Sequence, residues 1–364
     1  MCGAARRDRA IDIFTHGFAG YLIGRAGPEQ RAGKRAVAAA ALGSILPDAD
    51  HFVELAGSAT YLELHRGWTH SVGAVLAWGA LSAWLLGRGR SGRERAWLAL
   101  AGMLGVASHI LLDCATAFGT RWLMPFTAHR FALDWVFLID PAFAAILLAA
   151  MAATWRWPRR AERIAGAGLV LIGLYLGLCA GCHATALARV EGWAAARWPD
   201  AQRVAALPMP PHGFGWRGLV QAGGEIHEVR FSLLGGEPAR PGGEPEWLEP
   251  VPAADLAEGR VPVTRELAAL AGMARFLSAR RSATPDGEVL TFYDRQFAAI
   301  PGRQAYEVTV TLDQAGRVVE SRFADADVGA RTALYGLLVA LIAASIRRWE
   351  REEKAAAAAA RAGE

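Results

Sequence analysis

Four short stretches of the sequence hold imidazole and carboxylate groups at spacings that suit a metal ion. In "ASHILLDCATAFGT", His109 and Asp113 are four residues apart and share one helix face. Thr116 and Thr120 continue that stripe. In "GSILPDADHFVE", Asp48 and Asp50 follow Pro47, which lacks an amide donor and disfavours helix in the residue before it. Two carboxylates so spaced at a helix end can converge on one ion or bridge two. "IDIFTHGFAG" places His16 at the start of a short apolar helix, and "LELHRGWTHSVG" brings His65, Arg66, Thr69, His70 and Ser71 to the mouth of another.

On an unbroken helix His65 and His70 would point about 140° apart. The expectation is therefore His65 on the approaching loop and His70 in the first helical turn. Arg66 would face substrate, because a guanidinium matches phosphate or carboxylate, while Thr69 and Ser71 orient neighbouring groups. In "GTRWLMPFTAHRFALDWVFLIDPAF", Asp134 is expected to begin a helix and Asp140 to lie two turns inside it. There Asp140 needs a partner, which could be an arginine such as Arg121 or Arg130, a metal-bound histidine, or the metal itself; the histidine is the favoured choice. Taken singly, each stretch also has a structural explanation as helix glue, a capped turn or interfacial polarity. Ionisable groups in apolar surroundings are costly, which tips the balance towards function. Imidazole with carboxylate suits Zn²⁺, Mn²⁺ or Fe²⁺, zinc first.

The elements that would carry these groups are apolar. Of 364 residues 53% are hydrophobic and 20% charged, greasier than a typical soluble enzyme. Apolar runs recur at 18–24, 36–46, 72–86, 97–112, 135–157 and 165–188. The last two are long enough for a hydrocarbon core of about 30 Å, and the first two form a hairpin of half-length helices. Arginine-rich gaps at 25–35, 88–95 and 156–163 fall on one side by helix count, and the positive-inside rule makes that side cytoplasmic. The His and Asp clusters then collect on the opposite, extracytoplasmic face. The formal charge of +4 comes with no aromatic-interleaved basic stripe, so nucleic-acid binding is not expected.

Beyond 188 the composition turns to Pro, Gly and charge. "EIHEVRFSLL", "VLTFYDRQF", "YEVTVTLD" and "RVVESRF" read as strands, with "DQAG" a hairpin turn, and "TRELAALAGMARFLSARR" as an amphipathic helix. The expected organisation is an extension over 1–10 with no cleavable signal, then a helical metal-site unit over 11–188. An extracytoplasmic α+β domain over 189–330, a transmembrane or docking helix over 331–350 and a tail follow. The fold class is thus an all-α polytopic membrane bundle, two short helices plus about four longer ones, with an α+β domain and a possible final span. The four cysteines read as small hydrophobes, His183 as structural, and His129, His212 and His227 as surface residues.

"DIFTHG", "LPDADH", "HRGWTHS", "SHILLDCATAFGT" and "IDP", in that order across about residues 11–190, resemble the YdjM-like proteins, LexA-regulated membrane-bound metal-dependent hydrolases. The resemblance implies a helical inner-membrane protein of phospholipase-like chemistry, distantly similar to zinc-dependent phospholipase C. Carried across by position, it implies His16, Asp48, Asp50, His65, His70, His109 and Asp113 as the ligand set. Seven donors exceed one tetrahedral site. The reading assigns catalytic roles to Asp50, His65 and Arg66, and gives supporting or substrate contacts to Thr69, Ser71, Thr116, Thr120, Arg121, Asp134 and Asp140. The substrate is expected to be lipid-like, because half-length helices hold the ion near headgroup depth. The lipid-phosphatase signature is missing, since Met103 stands where an arginine is required, and no "HExxH" occurs. The competing expectation is a non-catalytic membrane scaffold or lipid-binding protein with a structural metal. The partner of the 189–330 domain is not legible.

Overall fold

The computed structural model describes residues 10–138, 140–210, 213–235, 249–250, 261–297 and 306–324, with the single residues 344 and 351. The chain opens with α1 (Ala10–Arg25), α2 (Pro28–Ala32) and α3 (Lys34–Gly43). A 3₁₀ segment, Leu46–Ala56, carries the paired aspartates, and α4 (Ser58–Leu64) and a 3₁₀ turn at Trp68–His70 follow. Then come α5 (Val72–Leu86), α6 (Gly92–Ala115), α7 (Pro141–Arg156) and α8 (Ala161–Arg197).

Helix α6 is the central post, against which α1, α3 and α5 pack. The approach of α3 to α6 is close enough to require glycine. A Cβ on Gly105 would lie 2.2 Å from the Ala40 carbonyl oxygen, and one on Gly43 would lie 2.4 Å from that of Gly102. Such small-residue contacts let backbones meet where lipid offers no hydrophobic drive for association.

Among the described residues two helical stretches are long and apolar enough to cross a membrane, Gly92–Ala115 and Pro158–Arg197. Ser58–His70 with Val72–Leu86, bent by 63°, makes a third if taken as one broken span. This overturns the expected polytopic bundle with four long helices. The apolar run 135–157 yields only the 16-residue α7, about 24 Å long at 1.5 Å per residue. The reason is local. Leu133, Trp135 and Val136 spend their amides on the carbonyls of Cys114 and Ala115 at the end of α6, so helix does not begin there. Asp140 is consequently the N-cap of α7, accepting from Phe143 N, and does not lie two turns inside a helix.

Among its described residues the C-terminal part, expected as an α+β domain, is a two-sheet β structure. Strands β1 (Arg203–Pro208), β2 (Gly215–Ala222) and β3 (Glu225–Ser232) form an antiparallel meander. It packs on the last turns of α8 through Ala186, Val190, Ala194, Trp216 and Phe231. A second antiparallel sheet follows the order β4 (Glu249–Pro250), β5 (Leu277–Thr284), β6 (Gly287–Asp294), β7 (Val308–Asp313), β8 (Val318–Phe323).

The expected long amphipathic helix stops at α9 (Arg265–Ala271). Asp294 captures the amides of Arg275 and Phe276 at 2.9 and 3.0 Å, which turns the chain into β5. Helix α9 and the turn just beyond it then dock on α4 through Tyr61, Leu62, Ala269 and Met273. The segment 333–346, read as a possible span, lies outside the described residues apart from residue 344.

Candidate metal centre

Three elements deliver one buried cluster of four residues. The 3₁₀ segment brings Asp48, the Trp68–His70 turn brings His70, and α6 brings His109 and Asp113. All four are at most 3% exposed. His70 Nε2 and His109 Nε2 are 3.0 Å apart. Each lies 3.5 Å from Asp48 Oδ1, and they lie 3.3 and 3.4 Å from Asp113 Oδ2. Ligand bonds of 2.0–2.1 Å in a tetrahedron place donors about 3.3 Å from one another. The five measured separations bracket that value.

The protons on the two rings are fixed from behind. His109 Nδ1 donates to the Ser44 carbonyl at 2.8 Å. His70 Nδ1 donates to Thr69 Oγ1 at 2.8 Å, and the Thr69 hydroxyl donates to Asp50 Oδ2 at 2.9 Å. Both Nε2 lone pairs therefore point into the cluster, together with two carboxylate oxygens. Asp113 Oδ2 is buried and accepts no hydrogen bond. Four side-chain nitrogen and oxygen atoms converging at these distances suit a cation. The residues present fit a divalent ion. The support of each ligand imidazole by an outer hydrogen bond is the arrangement metal-binding histidines normally have.

Asp50 sits one layer back. Its Oδ1 accepts from His65 Nδ1 at 2.8 Å and its Oδ2 from the Arg66 amide at 3.0 Å, besides Thr69. Burial alone would push the Asp48 and Asp50 carboxyls up. For Asp48 the rings of His109, His70 and His51, and for Asp50 those of His65 and His70, more than offset that and hold both well below the usual range. A second grouping, Asp48, Asp50, His51 and His65, also brings its donor atoms within 4.8 Å of one another. Two of its separations are 3.7 and 3.9 Å, and His65 is already bonded to Asp50, so it is looser than the first.

Of the other sequence candidates, His16 stacks on His109 with centroids 3.9 Å apart, and its Nε2 is 3.4 Å from Asp113 Oδ1. Arg66 pairs with that same oxygen at 2.8 Å and donates to Thr116 Oγ1 at 3.1 Å. Ser71 is the N-cap of α5, accepting from Ala74 N. Thr120 is buried and bridges to Phe131 through the backbone. Arg121 donates to the carbonyls of Glu63 and His65 at the end of α4.

Two candidates lie apart from the cluster. Asp134 takes a bidentate pair of bonds from Arg275 at 2.8 Å, and Asp140 accepts from Tyr175 at 2.7 Å. Sequence reasoning passed over Ser44, whose role rests on its carbonyl. It also passed over Tyr61, which stacks on His65 and reaches His51 Nε2 at 3.2 Å. An aromatic one turn before a candidate ligand was the available signal. His183 lies 5.8 Å from Trp216, and His212 is outside the described residues.

Residues 11–185 match the model of the YdjM inner membrane protein family, so every member of the cluster falls inside the match. "Uncharacterized protein YfhP" of Bacillus subtilis (strain 168) is 31% identical over 134 residues, which are 37% of this chain and 41% of that protein. The chain thus covers about two fifths of that relative's length. No solved structure matches. The family match and the apolar helices together support residence in the inner membrane.

Proposed function

Starting from the likeness of residues 11–185 to the YdjM inner membrane protein family, we propose that the chain is a membrane-embedded metal-dependent hydrolase acting on a lipid-like phospho- or acyl-ester. The observation that carries this is the convergence of His70 Nε2, His109 Nε2, Asp48 Oδ1 and Asp113 Oδ2 at ligand-to-ligand distances in one buried cluster. A bound divalent ion, zinc by preference, supplies acidity to a water and polarises the ester oxygen.

The chain's own residues do the rest. Asp48, His70, His109 and Asp113 would hold the ion, and Ser44, Thr69 and Asp50 keep the rings turned to it. The Asp50–His65 pair fixes the His65 ring through its Nδ1, and Arg66 balances the charge of Asp113. The arginine-rich gaps and the centre lie at opposite ends of α1, α3, α5 and α6, which supports a centre on the extracytoplasmic side by the positive-inside rule.

One observation favours the scaffold reading: four protein donors would close a tetrahedral sphere, as in structural zinc sites. The donor set argues the other way. It is half carboxylate and holds no thiolate, whereas structural zinc sites are built on cysteine. The test is elemental analysis of the detergent-purified chain, with turnover of mixed phospholipid and acyl-ester micelles, for the native sequence and for His70→Ala and Asp113→Ala. About one equivalent or more of metal, and turnover lost with it in both variants, is expected. Metal retained with no turnover on any ester leaves the scaffold. No metal in the native chain rejects both.

A further inference from the structure

The loop between α6 and α7 carries a second, unabsorbed feature. Thr120 and Phe131 exchange backbone hydrogen bonds of 3.0 and 3.1 Å as an antiparallel bridge. That register sets Arg121 directly opposite Arg130. Like charges at opposed positions repel and are selected against in ordinary strand pairs. Arg121 N bonds to the Arg66 carbonyl at 2.9 Å, which adds a third guanidinium to the group. The guanidinium carbons of Arg66 and Arg130 lie 4.9 and 5.1 Å from the centre of the same Phe118 ring. Phe118 in turn lies edge-on to His65 at 5.5 Å, so the three cations border the candidate centre.

Their partners do not balance them. Among the described residues Arg66 pairs with Asp113, whereas Arg121 and Arg130 donate to backbone carbonyls of Leu62, Glu63 and His65. Those bonds cap the end of α4 but use only one terminal nitrogen of each fork. Arg130 Nη1 and Arg121 Nε are shielded from solvent and donate to nothing. Burial, followed by Arg121 and Arg66, pulls the Arg130 guanidinium down to about 9. Asp48, Asp50 and Asp113 oppose three guanidinium groups, so a divalent ion leaves two positive charges in excess. Counting the buried Glu54 leaves one.

We propose that Arg121 and Arg130, backed by Arg66, form a subsite for the non-bridging oxygens of a phosphate group, which narrows the substrate from esters in general to phosphate esters. Planar forks with spare N–H groups match phosphate oxygens in pairs, and a phosphate dianion or diester anion removes the surplus charge. The proposal rests on the metal-hydrolase reading for its chemistry but not for its binding test.

That test titrates inorganic phosphate, with acetate as the control anion, into the detergent-purified full chain by calorimetry, before and after chelation. The variants are Arg130→Gln, Arg121→Gln and the charge-keeping Arg130→Lys, and metal content is measured in parallel. Phosphate affinity is expected to fall about tenfold or more in each Gln variant and by less in Arg130→Lys, with metal content unchanged. Equal phosphate affinity in native and Gln variants, or acetate bound as tightly as phosphate, overturns the subsite while leaving the hydrolase reading intact. Phosphate bound by the native chain and weakened in the Gln variants, with no metal detected, keeps the subsite and sinks the hydrolase. If a Gln variant fails to fold, the Arg130→Lys comparison decides alone, and an unchanged phosphate affinity there overturns the proposal. Competition by phosphatidic acid in micelles identifies a lipid headgroup as the source; its failure to compete identifies a soluble phosphate ester.

Discussion

At the scale of single residues, the centre separates the groups that would touch an ion from those that aim them. Asp50 is the clearest case, because its two oxygens are taken by His65, Thr69 and the Arg66 amide. Asp50→Asn keeps the shape but weakens the relay that fixes the His70 tautomer. Loss of such outer support costs about 10- to 100-fold in metal affinity. Competition with a fluorescent chelator is expected to show that drop with unchanged helical content. Asp113→Asn is expected to abolish metal retention at the same chelator concentration, and it also strips Arg66 of its carboxylate partner. If the two variants bind metal equally, the division between holding and aiming is wrong. His16 belongs to the aiming set on geometry: it stacks on His109, and its Nε2 lies 3.4 Å from the Asp113 oxygen already held by Arg66.

At the scale of elements, the centre depends on how near α3 runs to α6, because Ser44 sits at the end of α3 and His109 on α6. Gly105→Ala would drive a methyl group against the Ala40 carbonyl, 2.2 Å from the ideal Cβ position. Backbone cannot swing aside as a side chain can. A loss of roughly 1–3 kcal/mol is expected, read as a fall in thermal unfolding midpoint. Retained metal is also expected to fall, as the Ser44 carbonyl moves off His109. Gly166, with open space around it, is the control and should tolerate alanine. The convergence of His70, His109, Asp48 and Asp113 was legible in the sequence because each sits at a helix end or on one helical stripe, where spacing dictates direction. The roles within the cluster were not, since they depend on which oxygen of Asp50 meets which neighbour across 15 to 19 residues of chain. The start of α7 was misjudged for a related reason: apolar composition at 135–140 reads as helix, while the amides there are committed to α6 across the chain. Strands β1, β2 and β5 escaped notice because "RVAALP" and "LSARRSAT" lack clean alternation and are ordered by their partners.

At the scale of the whole molecule, α8 and the two sheets make the C-terminal half an extension of the helical unit. Helix α8 runs 37 residues, about 56 Å, well past a hydrocarbon core of about 30 Å. Its far end is the packing surface of the first sheet. The second sheet returns to the candidate centre through the Phe118, Phe297 and Tyr306 rings, which lie 5.6 to 5.8 Å apart. The bond that clamps this return is Arg275 to Asp134, a carboxylate only 4% exposed that burial pushes up and Arg275 draws back down. Arg275→Ala would leave that carboxylate buried without its cation. Arg275 itself is 30% exposed, so the loss lies between that of surface and buried pairs, about 2 kcal/mol. Limited proteolysis of the detergent-purified chain is expected to cut the 261–297 region faster in the variant, while the α1–α6 helices stay protected. Double substitution with Asp134→Asn should recover part of the loss, since the stranded charge is then gone. If Arg275→Ala digests like the native chain, the second sheet is held by apolar contacts alone, and the ion pair orients it without anchoring it.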